Sequence, residues 1–302
     1  MKKITYLLLI IFSLGLIGLG LYLEFNKEKK EEPKEFSYMP LMYKICDDDS
    51  CIYALGSIHL GDERVNKFDK KVIDAYNSTD TLVVELDTTN ETLDLTEYLL
   101  EDGKTLDDII DEDLKQKLLD FEDKHPLFNY EIYKMYDLGY LYLMLVSMSY
   151  IESGYMYPGV DSYFLNKAHE DNKEIIELET LDYQMDILTN SSDEFYIDSI
   201  NQLLDNYDLI GISIKMLYNS YINADLETLK VYLQFDDALT EEEQKFEDDL
   251  YTNRNFSMTD EVKKLLEENK NAFVVVGSAH VIGDDGIVEN LKNDYKVELI
   301  KN

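Results

Sequence analysis

The sequence predicts an α/β fold: a central, mostly β sheet flanked by helices, with a large helical insertion between two halves that each carry a Gly-Xaa-Xaa-His motif, and an N-terminal transmembrane helix ahead of them. Three observations predict it. Short apolar, partly β-branched runs bounded by turn residues recur along the chain, as buried strands require. They alternate with stretches whose apolar residues repeat at helical spacing. Two of the runs also end alike, in Ala54-Leu55-Gly56-Ser57-Ile58-His59 and in Val275-Val276-Gly277-Ser278-Ala279-His280.

A Gly at a strand end lets the backbone turn sharply or approach another group closely. The His then follows in the loop, where a doubly wound sheet places its ligands. A Gly-Asp pair trails each motif, Gly61-Asp62 and Gly283-Asp284, in a chain with only four histidines. Brought to one rim of one sheet, the two imidazoles can bind a metal or work as an acid–base pair.

Of the 302 residues 45% are hydrophobic, enough for one large domain or one domain with an insertion. The 63 acidic residues against 28 basic ones leave a net charge of -35. Such a surface repels a phosphate backbone, so nucleic acid is not an expected partner.

Lys2 and Lys3 precede an apolar run from Ile4 to Leu23, and about 20 such residues span a bilayer as a helix. Leu19-Gly20-Leu21-Tyr22-Leu23 offers no Ala-Xaa-Ala cleavage pattern and no Cys lies nearby for a lipid anchor. Residues 1–23 are therefore read as an uncleaved signal anchor, with cleavage after export as the alternative. The lysines after the span, Lys27, Lys29 and Lys30, sit among glutamates and leave the positive-inside rule ambiguous. Residues 24–36, charged and carrying Pro33, read as a linker, and 37–302 as the folded domain. Cys46 and Cys51 bracket Asp47-Asp48-Asp49-Ser50, a natural hairpin loop between two strand runs. A cross-strand disulfide, suited to an oxidising extracytoplasmic site, is preferred to a Cys-Xaa4-Cys metal site, which lacks further ligands.

Past the first motif, residues 62–77 read as a helix through Val65, Phe68, Val72 and Ile73. Leu82-Val83-Val84 is a core strand ending in Glu85 and Asp87, which a parallel sheet places near the rim of His59. One helix is expected from Leu106 to Leu119 and another from Tyr133 to Ile151, the Tyr, Met and Leu of the latter serving as core. His125, before Pro126, is expected in a turn. Asp161 is placed as N-cap of the next helix, and His169 near its end, favourable for a cation. Strand 173–178 closes with Glu179, a third acidic strand end. Residues of about 182–270 are helical, with a break at Gly211, and Arg254 follows as a rare Arg that can hold a carboxylate or polarise a carbonyl. The strand to Val276, a helix over 287–293 and a strand over 297–300 finish the chain.

This ordered set resembles the TraB/GumN family, which includes the plasmid pheromone-shutdown protein and is related to the Tiki metalloproteases. The resemblance spans most of residues 42–300 and rests on both Gly-Ser-Xaa-His motifs, Glu85, Pro158-Gly159-Val160-Asp161, Glu179-Thr180 with Gln184, and Arg254-Asn255. It implies a metal-dependent protease centre with His59, His280 and Glu85 as ligands of a divalent cation (Mn, Co or Zn). Glu85 serves there as ligand or general base, Glu179 takes whichever role is left, and Arg254 stabilises oxyanion charge or fixes a substrate carboxylate. The expectation is a single-pass cell-membrane protein with its C-terminal domain extracytoplasmic, hydrolysing a peptide or small-molecule substrate. The alternatives are a metal-independent, esterase-like hydrolase and a protein that sequesters a peptide signal without turnover.

Overall fold

The computed structural model describes residues 36–301 apart from 90–91, 233–238 and 284. The expected membrane span, residues 24–35 of the linker and Asp284 lie outside the described residues. Within them, no helix is long and apolar enough to cross a membrane.

The central sheet has six strands: β1 (Met42–Cys46), β2 (Cys51–Ser57), β4 (Thr81–Val84), β6 (Glu174–Glu177), β7 (Ala272–Gly277) and β8 (Lys296–Leu299). Their order is β6-β4-β7-β2-β1-β8. β6, β4, β7 and β2 run parallel, whereas β1 is antiparallel to both β2 and β8. Each strand lies on a run the sequence marks out. β4 and β7 are buried along their whole length, which is why Thr81–Val84 and Ala272–Gly277 are nearly continuous apolar runs. The edge strands β6 and β8 leave every outward residue exposed or half-buried.

Parallel strands need crossovers, and helices supply them. α1 (Lys70–Asn77) joins β2 to β4. Between β4 and β6 come α2 (Glu112–Glu122), α3 (Tyr130–Tyr133), α4 (Leu138–Glu152) and α5 (Val160–Asp171). Between β6 and β7 lie α6 (Leu181–Thr189), α7 (Asp193–Asp205), α8 (Tyr207–Ile222), α9 (Leu226–Tyr232), α10 (Glu241–Glu247) and α11 (Asn253–Glu267), with a π turn at Asp248–Thr252. Short helices α12 (Ser278–Ile282) and α13 (Ile287–Leu291) close the chain. α4 is the hub of the helical layer, packing against α6, α7 and α8. It is buried from Leu138 to Tyr150, so its Tyr, Met and Leu side chains are core on every face.

Several local expectations are corrected. The stretch 62–77 is helical only from Lys70, because Asp69 caps the helix by accepting from Lys71 N–H. Val65 and Phe68 lie in the segment before it and are buried there, Phe68 against the rings of Tyr38, Tyr163 and Phe164. The helix expected over Leu106–Leu119 is divided, since Asp111 accepts from Leu114 N–H and starts α2 afresh. Gly211 does not break a helix; it lies inside α8, where an added Cβ would come within 3.2 Å of Ser153 Oγ, so the small residue lets two helices approach. The break is at Asn206. Asp161 is not the N-cap of α5, a position held by Gly159; it sits in the first turn and faces His59. His169 lies in the last turn of α5 but its Nε2 contacts Asp87 Oδ2 at 2.8 Å and Thr89 Oγ1 at 2.9 Å, tying both to the strand end rather than to the helix carbonyls. His125 occupies a turn, its Nδ1 2.7 Å from Glu152 Oε2. A two-residue pairing of β3 (Leu60–Gly61) with β5 (Tyr157–Pro158) was invisible to periodicity because it is too short to have one.

In the hairpin, Asp47 Oδ1 accepts from Asp49 and Ser50 N–H, and Cys46 and Cys51 are cross-strand partners joined by a disulfide with Cα atoms 4.1 Å apart. Closing so short a loop in the unfolded chain stabilises by about 2 kcal/mol on chain-entropy grounds. Replacing both cysteines by Ser should therefore lower the urea-unfolding free energy by about 2 kcal/mol, and reduction of the wild-type chain should reproduce the loss while leaving the variant unchanged.

Candidate active site

β4, β7 and β2 are neighbours, and each delivers one chemical group at its C-terminal end: Glu85, His280 and His59. The register explains the repeated Gly-Ser. Gly56 lies opposite Val276 and Ser57 opposite Gly277, so the two motifs abut one residue out of step. A Cβ on Gly56 would stand 2.8 Å from Ser278 Oγ and 3.0 Å from Ser278 Cα. Ser278 Oγ donates to Ser57 O at 2.9 Å, and Tyr221 Oη, from α8, donates to Gly56 O at 2.8 Å. The glycine and serine of each motif thus join two strand ends, and the histidines are what the joined ends present. Asp62 of the first trailing pair is structural: it accepts from Arg64 and from Tyr218 Oη.

His59 is 8% exposed and is held through its backbone. Gly159 N–H donates to His59 O at 2.8 Å and Val160 N–H to Ile58 O at 3.0 Å. A Cβ on Gly159 would lie 2.0 Å from Ile58 O, so only glycine permits this approach. The same segment brings Asp161 Oδ1 to 3.0 Å from His59 Nδ1. The pair is within ion-pair distance but poorly aligned, and both His59 ring nitrogens are buried without a hydrogen bond. Burial pulls the His59 pKa down, yet Asp161 and Glu85 outweigh it and leave the imidazole above its usual range.

His280 is the opposite case. It is 1% exposed, and burial, with Arg254 and His59 adding to it, drives its pKa well below the usual imidazole range. A neutral ring whose Nδ1 lies 2.6 Å from Asn255 Oδ1 donates its proton there, which leaves the lone pair on Nε2. That nitrogen sits 3.9 Å from Glu85 Oε1. Two lone-pair atoms facing each other in a buried place call for a proton or a cation between them. His280 itself is the third residue of the five-residue α12, not in an open loop as expected.

Glu85 is anchored on every side. Oε1 accepts from Gly277 N–H at 2.6 Å, and Oε2 from Arg254 Nη2 at 2.8 Å and Gln184 Nε2 at 3.4 Å. Burial raises its pKa although Arg254 and His59 oppose the rise. Arg254 is 1% exposed and also grips Glu179, Nε to Oε1 at 2.8 Å and Nη2 to Oε2 at 2.7 Å, while Nη1 donates to Leu250 O. Gln184 Nε2 donates to Glu179 Oε2 at 2.9 Å. The five residues singled out in the sequence, His59, Glu85, Glu179, Arg254 and His280, thus gather in one buried group. Arg254 is not a loop residue. It opens α11, and its guanidinium is spent on holding two carboxylates. Asp87 stays apart with His169. Sequence reasoning passed over Asp161 and Asn255 as imidazole partners; their signal was adjacency, to Gly159 in one case and to Arg254 in the other.

Among the described residues no three His, Cys, Asp or Glu side chains already form a cation cage. The donor chemistry nonetheless fits a divalent cation. His59 Nε2 is buried without a hydrogen bond, His280 turns a lone pair inward, and each imidazole has a side-chain oxygen near Nδ1, the outer-layer arrangement that orients metal-binding histidines. Glu85 is the donor most constrained, by Gly277 and Arg254.

Fold and site define an α/β protein with two histidines, two glutamates and an arginine gathered at the C-terminal ends of the parallel strands of a mixed sheet. The chain belongs to the TraB/PrgY/gumN family, whose family model matches residues 41–299. No curated protein and no solved structure matches it.

Two substitutions test this arrangement. Gly159→Ala should destabilise by about 1–3 kcal/mol through overpacking and shift the His59 ring signals in an NMR spectrum, whereas Gly154→Ala, on an open turn, should leave them in place. Arg254→Met should cost about 3–5 kcal/mol by leaving buried carboxylates uncompensated, and adding Glu179→Gln should recover part of that loss in a double-mutant cycle of unfolding free energies.

Proposed function

We propose that this protein is a membrane-anchored, extracytoplasmic hydrolase that uses a divalent cation to cleave a peptide substrate. The observation that carries the reading is the backing of both imidazoles at Nδ1, His59 by Asp161 and His280 by Asn255, the latter with its Nε2 3.9 Å from Glu85 Oε1. His59, His280 and Glu85 would hold the cation. A bound cation of this kind supplies a low-pKa water and polarises a carbonyl. Asn255 keeps His280 in the tautomer with its lone pair inward, Asp161 steadies His59, and Arg254 with Gln184 holds Glu85 in place. Glu179 balances Arg254. The Cys46–Cys51 bond suits an oxidising compartment, in keeping with the apolar run at 4–23 serving as anchor.

The His59–Asp161 pair favours a second reading, a metal-independent hydrolase. An imidazole kept above its usual range beside a carboxylate has the parts of a general acid–base dyad.

One experiment separates the readings. The full chain is purified without chelators, assayed for metal, and offered a fluorogenic peptide library with Mn, Co or Zn salts, beside the H59A/H280A variant. Near-stoichiometric metal and turnover, both lost in the variant and on chelation, are expected. Turnover that survives chelation would transfer the reading to the dyad, and peptide binding with neither metal nor turnover would show a sequestering protein instead.

A further inference from the structure

The central sheet has two edges, and they are finished differently. β6 carries charge of one sign, Glu174 and Glu177, already engaged by Lys270 Nζ at 2.9 Å and by the Asp87 N–H at 2.7 Å. β8, at the other edge, carries both signs. Lys296 and Glu298 are exposed there, with no ion-pair partner among the described residues. The outer side of an edge strand is a row of unpaired backbone groups, a template for another strand.

The hydrogen-bond register shows which of these groups are free. Asp47 N–H donates to Ser50 O and Gly56 N–H to Leu41 O, so the odd-numbered residues of β1 bond β2 and the even-numbered ones bond β8. Ile300 N–H donating to Met42 O at 2.8 Å agrees. Lys296 and Glu298 therefore turn their backbone toward β1. Tyr295, Val297 and Leu299 turn theirs outward, the Tyr295 N–H being taken by Leu291 O at 2.9 Å.

A further strand can pair here only outward residue to outward residue. For a copy of β8 running antiparallel, that puts the two-fold axis on a residue, never between two. An axis at Glu298 opposes Glu298 to itself, and one at Lys296 opposes Lys296 to itself. An axis at Val297 does neither: Lys296 faces Glu298 of the copy, Glu298 faces its Lys296, and Tyr295 faces Leu299 on both sides. Opposite charges directly across an antiparallel pair attract, and like charges repel. Tyr295, Val297 and Leu299 are only half-buried, so this pairing also covers apolar surface left in water.

The surroundings of β8 permit the approach. Residues 292–301 set Lys292, Lys296 and Lys301 against Asp294 and Glu298, and Lys44 of β1 lies across from Glu298, in a chain whose net charge is -35. Two such acidic molecules meet with least repulsion at an edge of this kind.

We infer that β8 is the two-fold interface of a homodimer in which two six-stranded sheets join into one. Val297 N–H and C=O exchange bonds with their counterparts across the axis, and Leu299 N–H donates to Tyr295 O on both sides. The inference is independent of the chemistry proposed above. The axis stands perpendicular to the sheet, so both copies turn the same sheet face to the same side, as two anchors in one bilayer require. The segment that follows the expected anchor also enters close by: Tyr38 O accepts from Asp69 N–H at 2.7 Å, and Lys71 Nζ reaches Lys301 O at 2.6 Å.

Sedimentation equilibrium of the full chain in density-matched non-ionic detergent tests this, at about 150 mM salt to screen the net charge. A reversible monomer–dimer equilibrium is expected between about 1 and 100 μM protein. Lys296→Glu sets like charges opposite each other on both sides of the axis and should raise the dissociation constant about tenfold or more, as should Glu298→Lys. The double exchange K296E/E298K restores both pairs in reverse and should return the constant to within about threefold of the wild-type value. Val297→Pro removes the donor at the axis and spares the β1 ladder, as an outward-facing edge proline does, so it should give a folded monomer. A chain monomeric throughout this range, a dimer indifferent to Val297→Pro and to either single exchange, or a loss that the double exchange does not restore would overturn the inference.

Discussion

The buried ion pairing of Arg254 with Glu85 and Glu179 is the constraint on which the rest of this architecture depends. Three charges are withdrawn from water together, and none is tolerable alone. The two carboxylates come just after β4 and β6, and Glu85 also accepts the Gly277 N–H that ends β7. One guanidinium, from the first turn of α11, therefore joins the ends of strands far apart in sequence and fixes how the helical layer meets the sheet. Gln184 from α6 adds a neutral donor to the same carboxylates. Such a network is poor at adding net stability but strict about geometry, since displacing any member strands another.

Around that centre the two histidines are held by different means. His280 follows directly from β7 and is kept neutral by burial and by Asn255. His59 depends on the approach of Gly159, which seats the 157–161 segment on its backbone and aims Asp161 at its ring. The contrast gives one imidazole biased toward neutrality and one biased toward charge within a single buried group. Environments that push like groups apart are how a site separates acid from base, or ligand from shuttle.

Much of the sheet was legible because buried strands leave a plain trace: continuous apolar runs at Thr81–Val84 and Ala272–Gly277, and a Cys-bracketed loop between β1 and β2. Both Gly-Ser-Xaa-His motifs were legible because glycine at a strand end has few uses. Errors clustered where local signals compete. Asp161 is as good an N-cap by type as Asp69 or Asp111, and nothing local says that Gly159 already holds that position. Gly211 looks like a break until Ser153 is seen beside it.

The sequence by itself determined the six strands of the central sheet, the helical layer, the cross-strand disulfide and the pair of histidine motifs, because each rests on residues close together in the chain. Only the tertiary structure decided what those residues do. That Arg254 is consumed by two carboxylates and that Asp161 and Asn255 stand behind the imidazoles are facts about groups up to 169 residues apart. Local periodicity reports which face of an element is buried. It carries no information about which distant charge will be waiting there, and for a buried charge that partner decides everything.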